Sequence, residues 1–261
     1  MKFVIQTELN NVAYVKLHRP EMRNAFNPEM IQEITQCFLV LAARKDLRAV
    51  VLSGEGKAFC AGADLNWMKE MVDFSLEQNR EDSLKLFNMF EAIWNCPLPI
   101  VGQIHGSVFG GALGLLACCD YVIAEEGTQF CFSEVKLGIA PAVISAFIHK
   151  KAQMGRARFY MLSGKVFGAD EAMAMSLVHE KSPAGEAHHA VQRVLHLFQQ
   201  VGPQAAQETK KLLNSLYELS WDQQKTQTAA VIADRRVSDE GQEGLKSFIE
   251  KREPSWRGGL N

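Results

Sequence analysis

Two glycine-bearing stretches limit the folds open to this chain. Ala61-Gly62-Ala63-Asp64-Leu65 and Gly110-Gly111-Ala112-Leu113-Gly114 each stand between a strand-like run and a run with helical spacing. A strand that enters a helix through small residues, twice, points to α/β architecture. Such a junction aims unpaired backbone N–H groups and the positive end of a helix dipole at one point. Small side chains let a ligand oxygen approach that backbone, and two converging N–H groups would make an oxyanion hole. Either stretch could equally be a tight turn and nothing more. Neither is a phosphate-binding fingerprint. Gly106-x-x-x-Gly110-Gly111 lacks G-x-G-x-x-G spacing, and no Gly-Lys-Ser/Thr follows.

The remaining pattern agrees with alternating strands and helices. Phe3–Thr7 and Val12–Leu17 predict a hairpin about Asn10-Asn11. Asn27 followed by Pro28 and Glu29 predicts a helix start, and Met30, Ile31, Ile34, Phe38 and Leu41 keep helical spacing. Ala49–Ser53, Ile100–Ile104, Tyr121–Ala124 and Gln129–Phe132 read as short strands, and Ser75–Trp94 as a long helix ended by Pro97 and Pro99. Beyond Gly155 the pattern is helical, apart from a short strand near Val178. After Gly202-Pro203 come three helical stretches, Gln204–Leu219, Trp221–Val237 and Glu240–Lys251. They carry more apolar surface than three helices can hide, so they must dock on the core, on another subunit, or on both.

The 261 residues carry 28 Lys and Arg against 30 Asp and Glu, and this net charge of −2 argues against a nucleic-acid partner. The longest apolar stretch, around Val108–Cys119, is interrupted by glycines and falls short of a membrane span. None of the six cysteines forms a C-x-x-C pair, so no metal site is expected. The N-terminus has no basic segment followed by an apolar one, which predicts a cytoplasmic protein with reduced thiols.

Three motifs carry a resemblance. Lys57-Ala-Phe-Cys-Ala-Gly-Ala-Asp-Leu-Asn-Trp-Met, Ile104-His-Gly-Ser-Val-Phe-Gly-Gly-Ala-Leu-Gly-Leu-Leu-Ala-Cys-Cys-Asp and Gln129-Phe-Cys-Phe-Ser-Glu-Val-Lys-Leu-Gly-Ile-Ala-Pro resemble the enoyl-CoA hydratase/isomerase (crotonase) superfamily. Order and spacing agree from about Val4 to about Lys251. Within that superfamily the first two are most similar to bacterial methylglutaconyl-CoA hydratases of leucine breakdown. The resemblance implies an α/β spiral of ββα turns over residues 1–201. It also implies a helical region over 202–261 for trimerisation and part of the coenzyme A site. It implies a homotrimer or a dimer of trimers.

Carried over, the backbone N–H groups of Ala63 and Gly111 would form the oxyanion hole for a thioester oxygen, and Glu134 would be the catalytic carboxylate. Arg23 would lie near the phosphates of coenzyme A. Ala25, Ala61, Asp64, Leu65 and Gly110 would line the adenine and pantetheine path, with Phe248 and Lys251 contributed from the C-terminal helix. Coenzyme A would enter as part of the acyl-CoA substrate, with no separate cofactor. One departure stands out: relatives that hydrate usually carry a second glutamate three residues after the oxyanion-hole glycine, and here that residue is Gly114. Hydration normally divides water activation and C2 protonation between two carboxylates, whereas shifting a double bond needs one. The sequence is therefore read first as a hydratase. The alternatives are a Δ3,Δ2-enoyl-CoA isomerase and a non-catalytic acyl-CoA-binding oligomer. Trp67, Met68 and Phe109 could wall the acyl pocket or simply pack. Lys69 is a candidate partner for a substrate carboxylate, and His105, His188 and His189 read as structural or surface residues.

Overall fold

Residues 1–257 are described by a computed structural model. Residues 258–261, the end of the expected C-terminal region, lie outside the described residues.

Strands β1 (Val4–Leu9) and β2 (Val12–Leu17) form an antiparallel hairpin. Asn10 and Asn11 take φ of 51° and 60°, the left-handed pair that a two-residue hairpin loop requires. Helix α1 (Pro28–Ala42) starts where its cap residue predicts, with Asn27 Oδ1 accepting the Met30 N–H at 2.8 Å. Next come β3 (Ala49–Gly54), α2 (Leu65–Met71) and α3 (Leu76–Trp94). Ser75 and Gln78 cap α3 reciprocally. Then follow β4 (Ile100–Ile104), β5 (Ser107–Phe109), α4 (Ala112–Cys118), β6 (Tyr121–Glu125) and β7 (Gln129–Cys131). The strand expected over Gln129–Phe132 stops one residue early, because Phe132 leads into a 3-10 turn, Ser133–Leu137. Helices α5 (Ala142–Lys151), α6 (Met154–Ser163) and α7 (Ala169–Ala174) precede β8 (Glu180–Ser182), two residues beyond the strand expected near Val178. The chain continues through α8 (Ala187–Gln200), α9 (Pro203–Leu216), α10 (Trp221–Val237) and α11 (Asp239–Glu250).

Six strands build the main sheet in the order β1-β2-β3-β4-β6-β8, parallel beyond the first hairpin. Both faces are covered, as a parallel sheet requires. On β3, Val50 and Leu52 point into the large core with α1 and α3, while Ala49 and Val51 meet Ala190, Val191 and Val194 of α8. Each turn of the chain also supplies a short piece to a second layer. There β5 pairs in parallel with β7, Cys60 bridges Val108, and Phe130 bridges Phe167. The fold is thus the α/β spiral expected. Among the described residues no helix is long and apolar enough to cross a membrane, and all six cysteines are free and buried.

Candidate active site

The second layer brings together segments far apart in sequence. Cys60 N–H donates to Ser107 O (3.1 Å), Phe109 N–H to Cys60 O (3.2 Å) and Gly110 N–H to Cys131 O (2.9 Å). These pieces run parallel, so the segments that follow them, 61–64, 110–112 and 133–134, leave at the same edge.

At that edge close approach requires glycine. Gly62 has φ +95°, and a Cβ on it would lie 2.9 Å from Phe109 O. Gly110 has φ +54°, and a Cβ there would lie 3.4 Å from Glu134 Oε1 and 3.2 Å from Ser133 Oγ. Both substitutions would strain the backbone; the one at Gly62 would collide with the Phe109 carbonyl, and the one at Gly110 would close the space between loop and carboxylate. Gly111 meets the Phe26 ring, 3.4 Å from where its Cβ would stand.

Phe26 also holds the other loop. It pairs in parallel with Ala63, donating its N–H to Gly62 O (2.7 Å) and accepting the Asp64 N–H (2.8 Å). In a parallel bridge the middle residue turns its own N–H the other way, so Ala63, which is exposed, presents its amide away from Phe26. Gly111 opens α4 as its cap residue. Among the described residues neither the Ala63 nor the Gly111 N–H meets a protein acceptor.

Glu134 sits in the 3-10 turn closed by Gly138 at φ +75°. Its Oε2 is buried without a hydrogen-bond partner. Burial pushes its carboxyl above the usual range, offset in part by a bond to its own amide. A carboxyl held that way exchanges protons nearer neutral pH than an exposed one. The site therefore unites two unclaimed amides and a poorly solvated acid.

Gly114 lies within α4, three residues after its cap residue Gly111. A Cβ there would stand 2.7 Å from Phe90 Cζ and 2.8 Å from Ile144 Cγ2, both rigidly buried. The place of a second carboxylate is filled by the α3–α4–α5 contact, so no side chain fits at 114 without moving core residues.

The other expected residues divide. Ala61 donates its N–H to Arg23 O (3.0 Å), and Ala25 O accepts Arg19 Nη1 (2.9 Å), so these are tied to the edge. Asp64 turns its side chain inward to cap α2, with Oδ1 accepting the Asn66 N–H at 2.7 Å and the Trp67 N–H at 3.3 Å. Leu65 is 69 % exposed and Arg23 is exposed. Phe248 and Lys251 stand apart: α11 packs on α10 and α9, Phe248 is 83 % exposed, and Lys251 ends the helix at φ 54°. Trp67 is buried in the core, Met68 and Phe109 are half-buried, and Lys69 is exposed. His105 Nε2 is bonded to Gly56 O (2.9 Å), while His188 and His189 are exposed. A concavity of about 460 Å³ between α3, α5 and α9 lies elsewhere. Its Lys150 and Lys210 are taken up by Glu218 and Asp120.

Sequence reasoning missed Arg19, Asn24 and Phe26. Arg19 reaches Asp64 Oδ2 at 2.7 Å, and Asn24 is fully buried. The motif around them drew attention to Arg23, and no local signal marks a pair 45 residues apart.

The family model described as enoyl-CoA hydratase/isomerase matches residues 7–259. A Thermus thermophilus protein bearing an enoyl-CoA hydratase name is 33% identical over 251 residues, 96% of this chain and 99% of that one. An enoyl-CoA hydratase structure from Shewanella pealeana superimposes with a TM-score of 0.92 at 36% identity, covering 97% and 96% of the two chains. Pseudomonas aeruginosa AtuE gives 0.94 at 28% identity over 98% and 99%.

Proposed function

The chain belongs to the enoyl-CoA hydratase/isomerase family, and we propose that it is a hydro-lyase that adds or removes water at C2–C3 of a 2-enoyl-CoA thioester. One observation carries this reading: the Glu134 carboxyl, its Oε1 beside Gly110 and its Oε2 buried without a partner, next to the two loops whose Ala63 and Gly111 amides are unclaimed.

In the hydration direction the Ala63 and Gly111 N–H groups hold the thioester oxygen, and negative charge gathers there as the double bond is attacked. Amides already fixed in place stabilise that charge without reorganising, a contribution of several kcal/mol. Glu134, ionised at the start, takes one proton from a water between it and the substrate. The water oxygen bonds to C3, the C2–C3 π pair passes into the enolate, and the proton on Glu134 is returned to C2. One carboxylate thereby does both tasks in sequence, which suits a site where Phe90 and Ile144 fill the position of a second.

Arg23 and the backbone of Ala25, Ala61, Asp64, Leu65 and Gly110 line the coenzyme A path. Phe248 and Lys251 join it from a neighbouring copy in a homo-oligomer, a trimer or a dimer of trimers, because the helical region from 202 onward leaves its apolar residues uncovered. The acyl group proposed is methylglutaconyl, in leucine breakdown, and the compartment is cytoplasmic.

The lack of room at Gly114 also favours a second reading, a Δ3,Δ2-enoyl-CoA isomerase, in which Glu134 moves one proton between carbons and no water adds. A panel of CoA thioesters, including crotonyl and methylglutaconyl, in heavy-oxygen water separates the two. Label in a 3-hydroxyacyl product supports the hydratase. Rapid conversion of a 3-enoyl-CoA without label overturns it in favour of the isomerase. No turnover with any thioester removes both.

A further inference from the structure

We propose that Arg19 and Asp64, acting through Phe26, are positioning residues that fix the distance and direction of the Ala63 and Gly111 amides. This rests on the reading of those amides as an oxyanion hole.

The segment 19–26 runs along the first loop as a template. Arg23 O accepts the Ala61 N–H, Gly62 O accepts the Phe26 N–H, and Phe26 O accepts the Asp64 N–H, so the peptide of Ala63 is held on both sides. The template is itself strained. Arg23 and Asn24, neither a glycine, take φ of 52° and 55° in succession. Such conformations persist only where their surroundings over-determine them. Here the fully buried Asn24 side chain accepts the Arg19 N–H (2.8 Å) and donates to Glu55 O and Ala58 O, both at 2.8 Å.

Arg19 closes this arrangement. One nitrogen, Nη1, lies 2.7 Å from Asp64 Oδ2 and donates to Ala25 O at 2.9 Å, while the guanidinium lies over the Phe3 ring. The two side chains are 13% and 2% exposed. A neutral residue would cap α2 at position 64 without any ion to bury. A buried pair is a costly alternative: Nη1 donates its hydrogen bond to Ala25 O, and the Asp64 carboxylate, otherwise unpartnered at Oδ2, is held beside it by charge at short range. The pair locks the residue next to Ala63 to the residue next to Phe26.

The same Phe26 then reaches the other half of the site. Its main chain holds Ala63, and its buried ring abuts Gly111. One residue thus spaces the two amides, and Arg19–Asp64 holds that residue in register. Displacing an oxyanion donor by about 1 Å weakens transition-state binding more than substrate binding.

The test compares wild type with Arg19→Met, Arg19→Lys, Asp64→Asn and Phe26→Leu. Steady-state kinetics use the CoA thioester that the wild type converts fastest. The carbonyl stretch of bound carbon-13-labelled butyryl-CoA, a saturated thioester, reports the hydrogen bonds to the oxygen. Arg19→Met is expected to lower kcat by about 10-fold or more with KM within about threefold, and to move the stretch back toward its free value. Arg19→Lys should restore part of both. If Arg19→Met does not fold, Asp64→Asn and Phe26→Leu, which keep the cap and an apolar filler respectively, must reproduce the same pair of changes. A folded variant set with wild-type kcat and an unmoved stretch overturns the proposal while leaving the hole in place. A wild-type complex whose stretch equals that of free thioester removes the oxyanion-hole reading, and the proposal with it.

Discussion

The chain up to α8 closes on itself, and the helices after it do not. Helix α1 buries Met30, Ile31, Ile34, Cys37, Phe38 and Leu41, whereas α9 and α10 bury no residue and α11 buries only Ser247. The later helices are fastened mainly by polar contacts: Lys210 Nζ to Asp120 Oδ2 (2.7 Å) and Leu98 O (3.0 Å), Asn214 Nδ2 to Trp94 O (3.0 Å), and Glu240 to the Gln204 and Ala205 N–H groups. Meanwhile Trp221, Val237, Phe248 and Ile249 each expose three quarters or more of their surface. The first region holds Glu134 and the Ala63 and Gly111 amides on a well-buried core. The second leaves an apolar surface uncovered, the kind of surface on which the proposed self-association would rest.

If the chemistry belongs to the first region alone, Glu134→Gln is the sharpest cut. Turnover should fall by about 100-fold or more, with thioester binding and thermal midpoint unchanged, as read by kinetics, titration calorimetry and melting. Unchanged turnover would take the acid–base role from Glu134. Next, Gly114→Glu should cost about 3 kcal/mol or more of stability in urea, because it forces a side chain between Phe90 and Ile144 and buries a carboxyl among them. A variant as stable as wild type, with gained hydration, would mean that the core there yields. In the second region, Phe248→Ser with Ile249→Ser should barely change unfolding but weaken self-association by about 10-fold, seen by sedimentation. Loss of monomer stability instead would show that the helices are part of the core after all. The smallest effect is on pH. With Glu134 as the proposed base, activity needs its ionised form, and burial raises its pKa, so the acid limb of kcat/KM should have its midpoint above the ordinary carboxylate value of 4.5 and fall as pH drops through it. An acid limb at or below that value would contradict the buried setting.

Much of the local structure was legible because it depends on neighbours in the chain. Asn27 and Pro28, Ser75 and Gln78, and Asn10-Asn11 act within a few residues, so the starts of α1 and α3 and the first hairpin could be read directly. The two glycine loops were legible as candidates for the same reason. The second layer was not. Its bridges at Cys60 and Phe130 involve single residues with no periodic pattern to reveal them. Nor was the turn that carries Glu134, since Ser133–Leu137 follows a three-residue strand and is closed by Gly138. The Arg19–Asp64 pair was missed because an arginine in a loop and a helix cap each have an adequate local explanation.

By itself the chain order determined the α/β alternation, the helical end, the absence of an acid at 114 and the backbone freedom of Gly62 and Gly110, all consequences of side-chain type and near-neighbour geometry. Only the tertiary structure decided that Gly110 faces Glu134, that Phe26 stands between the two loops, and that Gly114 is sealed by Phe90 and Ile144. Those relations are set by how distant segments pack, and close packing fixes them at a scale of tenths of an ångström that no sequence spacing encodes.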